Sequence, residues 1–387
     1  MAKVITLIKT TAKMALRFFQ SADIFLLVFS LISSIYGIIL ISSATNSLDV
    51  GGHVTQQVTA LIFGIALFIL FSYIDIDIIA DKSWLLYIFS MLFIFTLFFW
   101  GQGEEDWGNR NWLRFWGFGV QPAEVVKVTF AIIIAKMLVN YKEKKTLNSV
   151  VSLFQVLFVF GSIFGLIIWV SSDLGSAVIF VFMLVVMLFV AGVKLRWFFL
   201  GSAFMAAVSP FLWNLMQPYQ QLRIVAVFFP EEYDPDRQTV LWQANQSVRA
   251  ITGGGFGGQG LGNGRLTQAG IIPEQHTDFI FSVAGEELGF VGALLVIALL
   301  ITIIVRCFYV GVRSNNALGL LVCVGLAAKF IAQTFENIGM CLGLLPVVGI
   351  TLPFFSYGGS SLVTCFAAMG IVSGVKMRPK PIRFRNI

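Results

Sequence analysis

The feature that most constrains this chain is a recurrence of apolar runs near the ~20 residues a helix needs to cross a bilayer core. We read them at about 23–43, 54–74, 84–100, 121–140, 150–170, 174–193, 196–215, 278–305, 317–342 and 350–375. Only 12% of the 387 residues are charged and 58% are hydrophobic, whereas a soluble domain carries roughly 25% charged residues. The expectation is an all-α polytopic integral membrane protein of about ten transmembrane helices, with residues 1–387 forming one transmembrane domain. The basic N-terminal segment and first apolar run resemble a signal peptide, but the run is long and many spans follow. We therefore expect an uncleaved first helix.

Basic residues set the orientation. With the N-terminus in the cytoplasm, the inside segments collect Lys3, Lys9, Lys13, Arg17, Lys82, Lys136, Lys142, Lys144, Lys145, Lys194, Arg196, Arg306, Arg313, Lys376, Arg378, Lys380, Arg383 and Arg385. That is most of the 26 basic residues. Both termini are then cytoplasmic. The net charge of +6 becomes a topology signal, and no nucleic-acid partner is expected. One long outer loop, 216–277, joins helices 7 and 8, and a Trp-rich outer loop covers 101–120. Cys307, Cys323, Cys341 and Cys365 lie in apolar runs without CxxC spacing, so neither a metal site nor a disulfide framework follows.

Charges in such runs need compensation, since each costs roughly 2.5 to 3.5 kcal/mol even on lenient insertion scales. Glu124 and Lys127 are three residues apart on one helix face, an expected ion pair. Lys329 and Glu336, seven apart, share one helix face; a functional role and an internal ion pair holding helices together both stay open. Asp173 stands between two spans. PEQHTDFIFSVAGEELGF (273–290) brings Glu274, His276, Thr277 and Asp278 to the lip of a span and carries Glu286 and Glu287 into it. One reading makes Thr277 and Asp278 helix caps, with Glu287 snorkelling or paired; the other makes the stretch functional. Arg110, Arg114, Arg223 and Arg249 are interleaved with Trp107, Trp112, Trp116, Tyr219 and Trp242 on the outer side. A guanidinium fork suits phosphate oxygens, so this face reads as a site for a phosphate-bearing lipid.

GFGGQG, within 253–264, matches G-x-G-x-x-G literally but lacks the acidic residue and βαβ setting of a dinucleotide site. Its glycines permit positive φ and close approach of a ligand or a helix, so a mobile lid and a plain loop both remain open. Asn245-Gln246-Ser247 is a formal glycosylation sequon that we read as incidental.

Six stretches resemble the SEDS family (shape, elongation, division and sporulation), the RodA/FtsW/SpoVE group. They are RNWLRFWGFGVQPAEVVK (110–127), SSDLGSA (171–177), YQQLRI (219–224), DPDRQTVLWQANQSVRAITGGGFGGQGLGNG (234–264), PEQHTDFIFSVAGEELGF (273–290) and NIGMCLGLLPVVGITLPFFSYGGSS (337–361). The chain departs from the family pattern at Ser172, where proline is usual, and at TGGG (252–255), where GSGG is frequent.

The resemblance implies a peptidoglycan glycosyltransferase of the bacterial cytoplasmic membrane. Such an enzyme polymerises lipid II, a disaccharide-pentapeptide on undecaprenyl pyrophosphate, with an outward-facing site. It implies Asp278 as the essential acid, which we read as the general base. It implies Arg110, Lys127 and Arg223, with Arg249, as groups neutralising the pyrophosphate. The motifs also bring Glu274, His276, Thr277, Ser356, Gly358, Gly359 and Ser360 to the substrate. Asp173 is left with two roles, orienting a basic residue or holding a divalent cation (Mg or Mn). The implied partners are a class B penicillin-binding protein and other cell-wall synthesis machinery. SYIDIDII (72–79) leans toward elongation and cell shape over division. Two alternatives stay open: a lipid II flippase, and a non-catalytic scaffold for a penicillin-binding protein.

Overall fold

A computed structural model describes residues 18, 20–46, 52–103, 110–115, 118–314 and 316–378. Trp107, Trp116, Lys3, Lys9, Lys13, Arg17, Lys380, Arg383 and Arg385 lie outside the described residues.

The described chain is a helical bundle. Its long helices are α1 (Ile24–Thr45), α2 (His53–Tyr73), α4 (Ser83–Trp100), α5 (Pro122–Glu143), α6 (Val150–Ser171), α7 (Leu174–Ala191) and α8 (Leu195–Leu215), followed by α13 (Ile280–Arg313), α14 (Ala317–Cys341) and α15 (Gly359–Met377). A short α3 (Ile76–Asp81) follows α2, and an antiparallel hairpin, β1 (Leu113–Phe115) and β2 (Phe118–Val120), precedes α5. Among the described residues nine helices are long and apolar enough to cross a membrane. The tenth expected span forms as α5, 22 residues long and mostly buried, but carries Glu124, Lys127 and Lys136 along its length.

Two expected boundaries move. The last helix begins at Gly359 rather than 350, because segment 350–358 is irregular backbone with Phe354 at φ 68. The eighth span extends to Arg313 and breaks internally at Gly289, whose φ is 66 and ψ −162. The expected loop 216–277 contains helices of its own: α9 (Pro218–Phe228), α10 (Pro230–Tyr233), α11 (Trp242–Gly254) and α12 (Arg265–Gln268).

Small residues let the central helices meet backbone to backbone. A Cβ at Gly370 of α15 would lie 2.6 Å from the Phe68 carbonyl oxygen of α2, and one at Gly374 would lie 2.9 Å from that of Phe71. Where lipid is as apolar as the side chains, such close packing is what holds helices together. Helices α14 and α15 are accordingly mostly buried, whereas the spanning part of α8 has no buried residue and faces outward along its length.

The two ends of the bundle differ chemically. At one end buried Asp23 binds Arg306 at 3.0 Å and Lys376 at 3.5 Å, Arg378 binds Asp75 and Asp77, and Lys136 binds Asp81. These residues come from the segments expected inside. Gln121, Asp173 and the segments 274–279 and 350–360 meet away from that end.

Candidate active site

Asp278 ends the loop that feeds α13. Glu274 initiates a tight turn at φ 45, and its carbonyl accepts the N–H groups of Thr277, Asp278 and Phe279 at 3.1, 3.0 and 3.2 Å. The N-cap of α13 is Phe279, with no side-chain cap. The capping reading of Thr277 and Asp278 therefore fails: the Asp278 carboxylate is not spent on the helix. The Asp278 carbonyl leaves the helix pattern too, accepting the Asn337 side-chain amide at 2.7 Å, with the Cys341 thiol at 3.7 Å.

Burial pushes the Asp278 carboxyl up to about 7, helped by the negative charges of Glu274 and Asp173 and opposed by a hydrogen bond from Thr277. Its Oδ2 is 3.5 Å from where a Cβ at Gly349 would stand. Beside Gly349, Val347 and Val348 line a cavity of about 370 Å³. The same cavity is lined by Ser172, Leu174 and Gly175, and by Tyr219, Arg223 and Glu336. Asp278 thus stands against Gly349, next in the chain to two residues that line this largely apolar cavity.

Asp173 stands at the head of α7. It is buried, its Oδ1 accepts the Ser176 N–H at 2.8 Å as helix cap, and its Oδ2 accepts the Gln121 amide at 3.4 Å. Burial raises its carboxyl, against the pull of Lys127 and Ser176. Ser172 before it has φ 54, a value the proline ring forbids, so the departure at this position corresponds to a changed local turn. Gly175 allows the turn to press on Val348 and Ile350, since a Cβ there would be 2.7 Å from Ile350 Cδ1 and 3.1 Å from Val348 Cγ2.

The basic candidates separate. Arg223 lines the cavity, donating to the Val347 carbonyl at 3.1 Å and lying over the Tyr219 ring. Lys127 is buried in an ion network, with its ammonium 2.6 Å from Glu124. Arg110 stands beside Gly101, where α4 ends. Arg249 faces a separate recess with Asp236, Arg237 and Trp242. Lys329 and Glu336 do not pair. Lys329 instead binds Glu124 at 3.1 Å, which Gln333 also approaches at 2.8 Å. The bundle brings α5 against α14, and one buried carboxylate compensates two ammonium groups. Glu336 turns into the cavity, with Oε2 buried and without a hydrogen-bond partner.

Tyr357 N–H donates to the His276 carbonyl at 2.8 Å, and the rings of His53, His276 and Tyr357 pack together. Burial lowers the His276 pKa. The Ser356 hydroxyl accepts the Leu352 N–H at 2.7 Å, and the Gly358 N–H donates to Gln57 at 3.1 Å. The Ser360 hydroxyl accepts the Gln121 N–H at 3.1 Å. Gly359 lies against Ala60 of α2. These residues hold segment 350–360 in place, a structural use for positions expected around the substrate. Sequence reasoning missed Asn337, Gln121 and His53. A lone Asn within an apolar run was the available signal for Asn337.

Glu286 and Glu287 answer to the glycine-rich segment. Glu286 accepts the Leu266 and Thr267 N–H groups at 2.7 and 2.9 Å. Glu287 accepts the Ser43 hydroxyl, the Gly262 N–H and the Gln268 amide. A Cβ at Gly258 would be 2.2 Å from the Glu287 carbonyl oxygen, so these glycines serve close approach to a helix. Among the described residues no group of three or more His, Cys, Asp or Glu is arranged to hold a metal ion.

Residues 22–380 match the family model described as cell cycle protein, FtsW/RodA/SpoVE. A protein named probable peptidoglycan glycosyltransferase FtsW from Geobacter metallireducens is 32% identical over 95% of this chain and 98% of its own. Peptidoglycan glycosyltransferase MrdB of Escherichia coli K12 is 29% identical over 89% and 91%. A structure described as showing the coordination of polymerization and crosslinking by a peptidoglycan synthase complex superposes with a TM-score of 0.78 at 27% identity, over 92% of this chain and 98% of that one. A mutant of the rod shape determining protein RodA of Thermus thermophilus gives 0.68 at 25%, over 92% and 97%. With nearly its whole length matched, the buried acids and the irregular segments that carry them included, this multi-pass inner-membrane chain belongs to the FtsW/RodA/SpoVE family of cell cycle proteins.

Proposed function

We propose that the protein is a peptidoglycan glycosyltransferase that polymerises lipid II at the outer face of the cytoplasmic membrane, with Asp278 as general base. The observation that carries the reading is Asp278 itself: a carboxyl raised to about 7 by burial and two acidic neighbours, packed against Gly349, whose neighbours Val347 and Val348 line a cavity of about 370 Å³. A base with a pKa near the working pH is suited to proton transfer. The names of the similar proteins support the activity.

In this reaction the acceptor sugar's hydroxyl gives its proton to the Asp278 carboxylate as its oxygen bonds to the donor's anomeric carbon. The bond from that carbon to the pyrophosphate oxygen breaks, with inversion. The pyrophosphate leaves as an anion and needs cations rather than a general acid. Arg223, which lines the cavity, is the first candidate for that task, and buried Lys127, paired with Glu124, is a second positive charge. Asp173 adds to burial and Glu274 in holding the Asp278 carboxyl high. The basic ends of the helices assign the opposite face to the cytoplasm, which puts 216–277 outside. A class B penicillin-binding protein is the membrane partner, and the lean to elongation rests on SYIDIDII (72–79).

The test is polymerisation of lipid II by the purified protein in detergent, with no other glycosyltransferase present. Asp278→Asn is expected to melt like the parent and make no glycan. Full polymer from that variant rejects the assignment, and transbilayer movement of lipid II without any polymer from the parent favours a flippase.

A further inference from the structure

Helix α11 carries two different faces. Ala244, Ser247, Ala250 and Gly254 are buried. On that side the Ser247 hydroxyl meets Ser282 at 2.5 Å and donates to the Cys341 carbonyl at 2.6 Å, in the same layer as the Asp278 carbonyl. Trp242, Asn245, Gln246 and Arg249 recur at the spacing of one helical stripe. They line a second cavity of about 300 Å³, closed by Asp236, Arg237 and Gln238. The recess lies on α11, whose buried Ser247 contacts Ser282 and Cys341. The chemistry derived above makes no use of it.

Its lining combines two guanidinium groups, a carboxylate, three amides and an indole. The wall is a built turn: the buried Asp234 carboxylate accepts the N–H groups of Gln238, Thr239 and Leu241 at 3.1, 3.2 and 2.9 Å. The independent observation is Gln246. Its side chain lines the recess and is 7% exposed, yet its Oε1 is buried without a hydrogen-bond partner. A buried amide oxygen in that state is destabilising unless a donor is brought to it. A hydroxyl or an amide N–H meets the need; a phosphate oxygen has no proton to offer.

We propose that this recess is a binding subsite for a carboxylate-bearing amino-sugar strand, the part of the glycan already made. Resting on the function proposed above, it names where the product is held between additions. The Trp242 ring offers an apolar face to a sugar ring while its N–H stays available. Gln246 Oε1 accepts a sugar hydroxyl or an acetamido N–H, and Asp236 accepts further hydroxyls. Arg237 and Arg249 take the carboxylate of the peptide stem, the pairing their planar forks match best. A lipid phosphate would satisfy the arginines and leave Gln246 and Asp236 opposed to it.

The experiment is isothermal titration of the full-length protein in detergent with a soluble disaccharide–tetrapeptide fragment, its fully amidated counterpart, and inorganic pyrophosphate. The acidic fragment is expected to bind. Arg249→Ala and Gln246→Leu are each expected to weaken it roughly tenfold or more, a 1.4 kcal/mol equivalent. Arg249→Lys restores part of the loss and amidation mimics Arg249→Ala. Arg249 is exposed, so its variant is expected to fold, and thermal melting checks this. Unchanged affinity in Arg249→Ala and Gln246→Leu overturns the subsite, as does pyrophosphate binding that displaces the fragment. The same titration in Asp278→Asn separates the two readings. Fragment binding without polymerisation supports both, whereas polymerisation by that variant overturns the general base and leaves the subsite standing.

Discussion

The Asn337 side-chain amide joins two backbones, donating to the Asp278 carbonyl at 2.7 Å and to the Ile350 carbonyl at 2.6 Å. Asn337 is fully buried in α14, so the loop bearing Asp278 and the irregular segment behind it are registered by one group. Asn337→Leu strands both carbonyls, each at a cost of about 1–3 kcal/mol. The expected result is a lower melting temperature and a fall in polymerisation rate exceeding the fall in folded fraction, measured by thermal melting beside a turnover assay. Wild-type activity in a folded Asn337→Leu protein would remove Asn337 from the positioning of Asp278.

The pH profile follows from the Asp278 carboxyl at about 7. A general base works when ionised, so turnover is expected to rise with pH through that value and to fall below it along a one-proton limb. Glu274 is one of the negative neighbours that raise it. Glu274→Gln removes that charge, makes ionisation easier, and moves the acid limb to lower pH. A limb that stays in place in Glu274→Gln contradicts the electrostatic coupling.

Glu124 compensates both Lys127 and Lys329. Glu124→Ala leaves two buried ammonium groups facing each other, and breaking a buried pair costs about 3–5 kcal/mol. Lys329→Met removes one cation and keeps the 2.6 Å Glu124–Lys127 contact, so a much smaller loss is expected. Folded yield and melting temperature should rank the parent first, Lys329→Met next and Glu124→Ala last.

Two neighbouring glycines are expected to respond with opposite sign. At Gly254 a Cβ would lie 2.0 Å from the Gly285 carbonyl oxygen, and Gly254→Ala should separate α11 from α13 at about 1–3 kcal/mol or more. At Gly253 the nearest atom is the Gln259 amide, 3.4 Å away. Gly253→Ala should be neutral or stabilise by up to about 1 kcal/mol through helix propensity. Limited proteolysis in the 253–264 region reads both.

Much of the site was visible as a conflict in the sequence. Asp173, Asp278, Glu124 and Lys127 stood out because ionisable groups in apolar runs need partners, and the Glu124–Lys127 pair follows from helical spacing alone. Lys329 and Glu336 share a helix face by the same kind of spacing and do not pair. Spacing ranks neighbours on one helix, and Lys329 found its partner on another. Glu286 and Glu287 fared similarly: their charge demanded compensation, which arrived from backbone N–H groups some twenty residues earlier.

The sequence by itself determined the membrane class, the spans and the density of basic residues at alternate ends, because hydrocarbon thickness and lipid charge act on each segment independently. Tertiary structure alone decided which carboxylate faces a cavity, which is spent on a cap, and which holds two cations. Those outcomes depend on what neighbouring helices bring within about 3 Å, and burial with adjacent charge, not residue type, sets what a carboxyl can do.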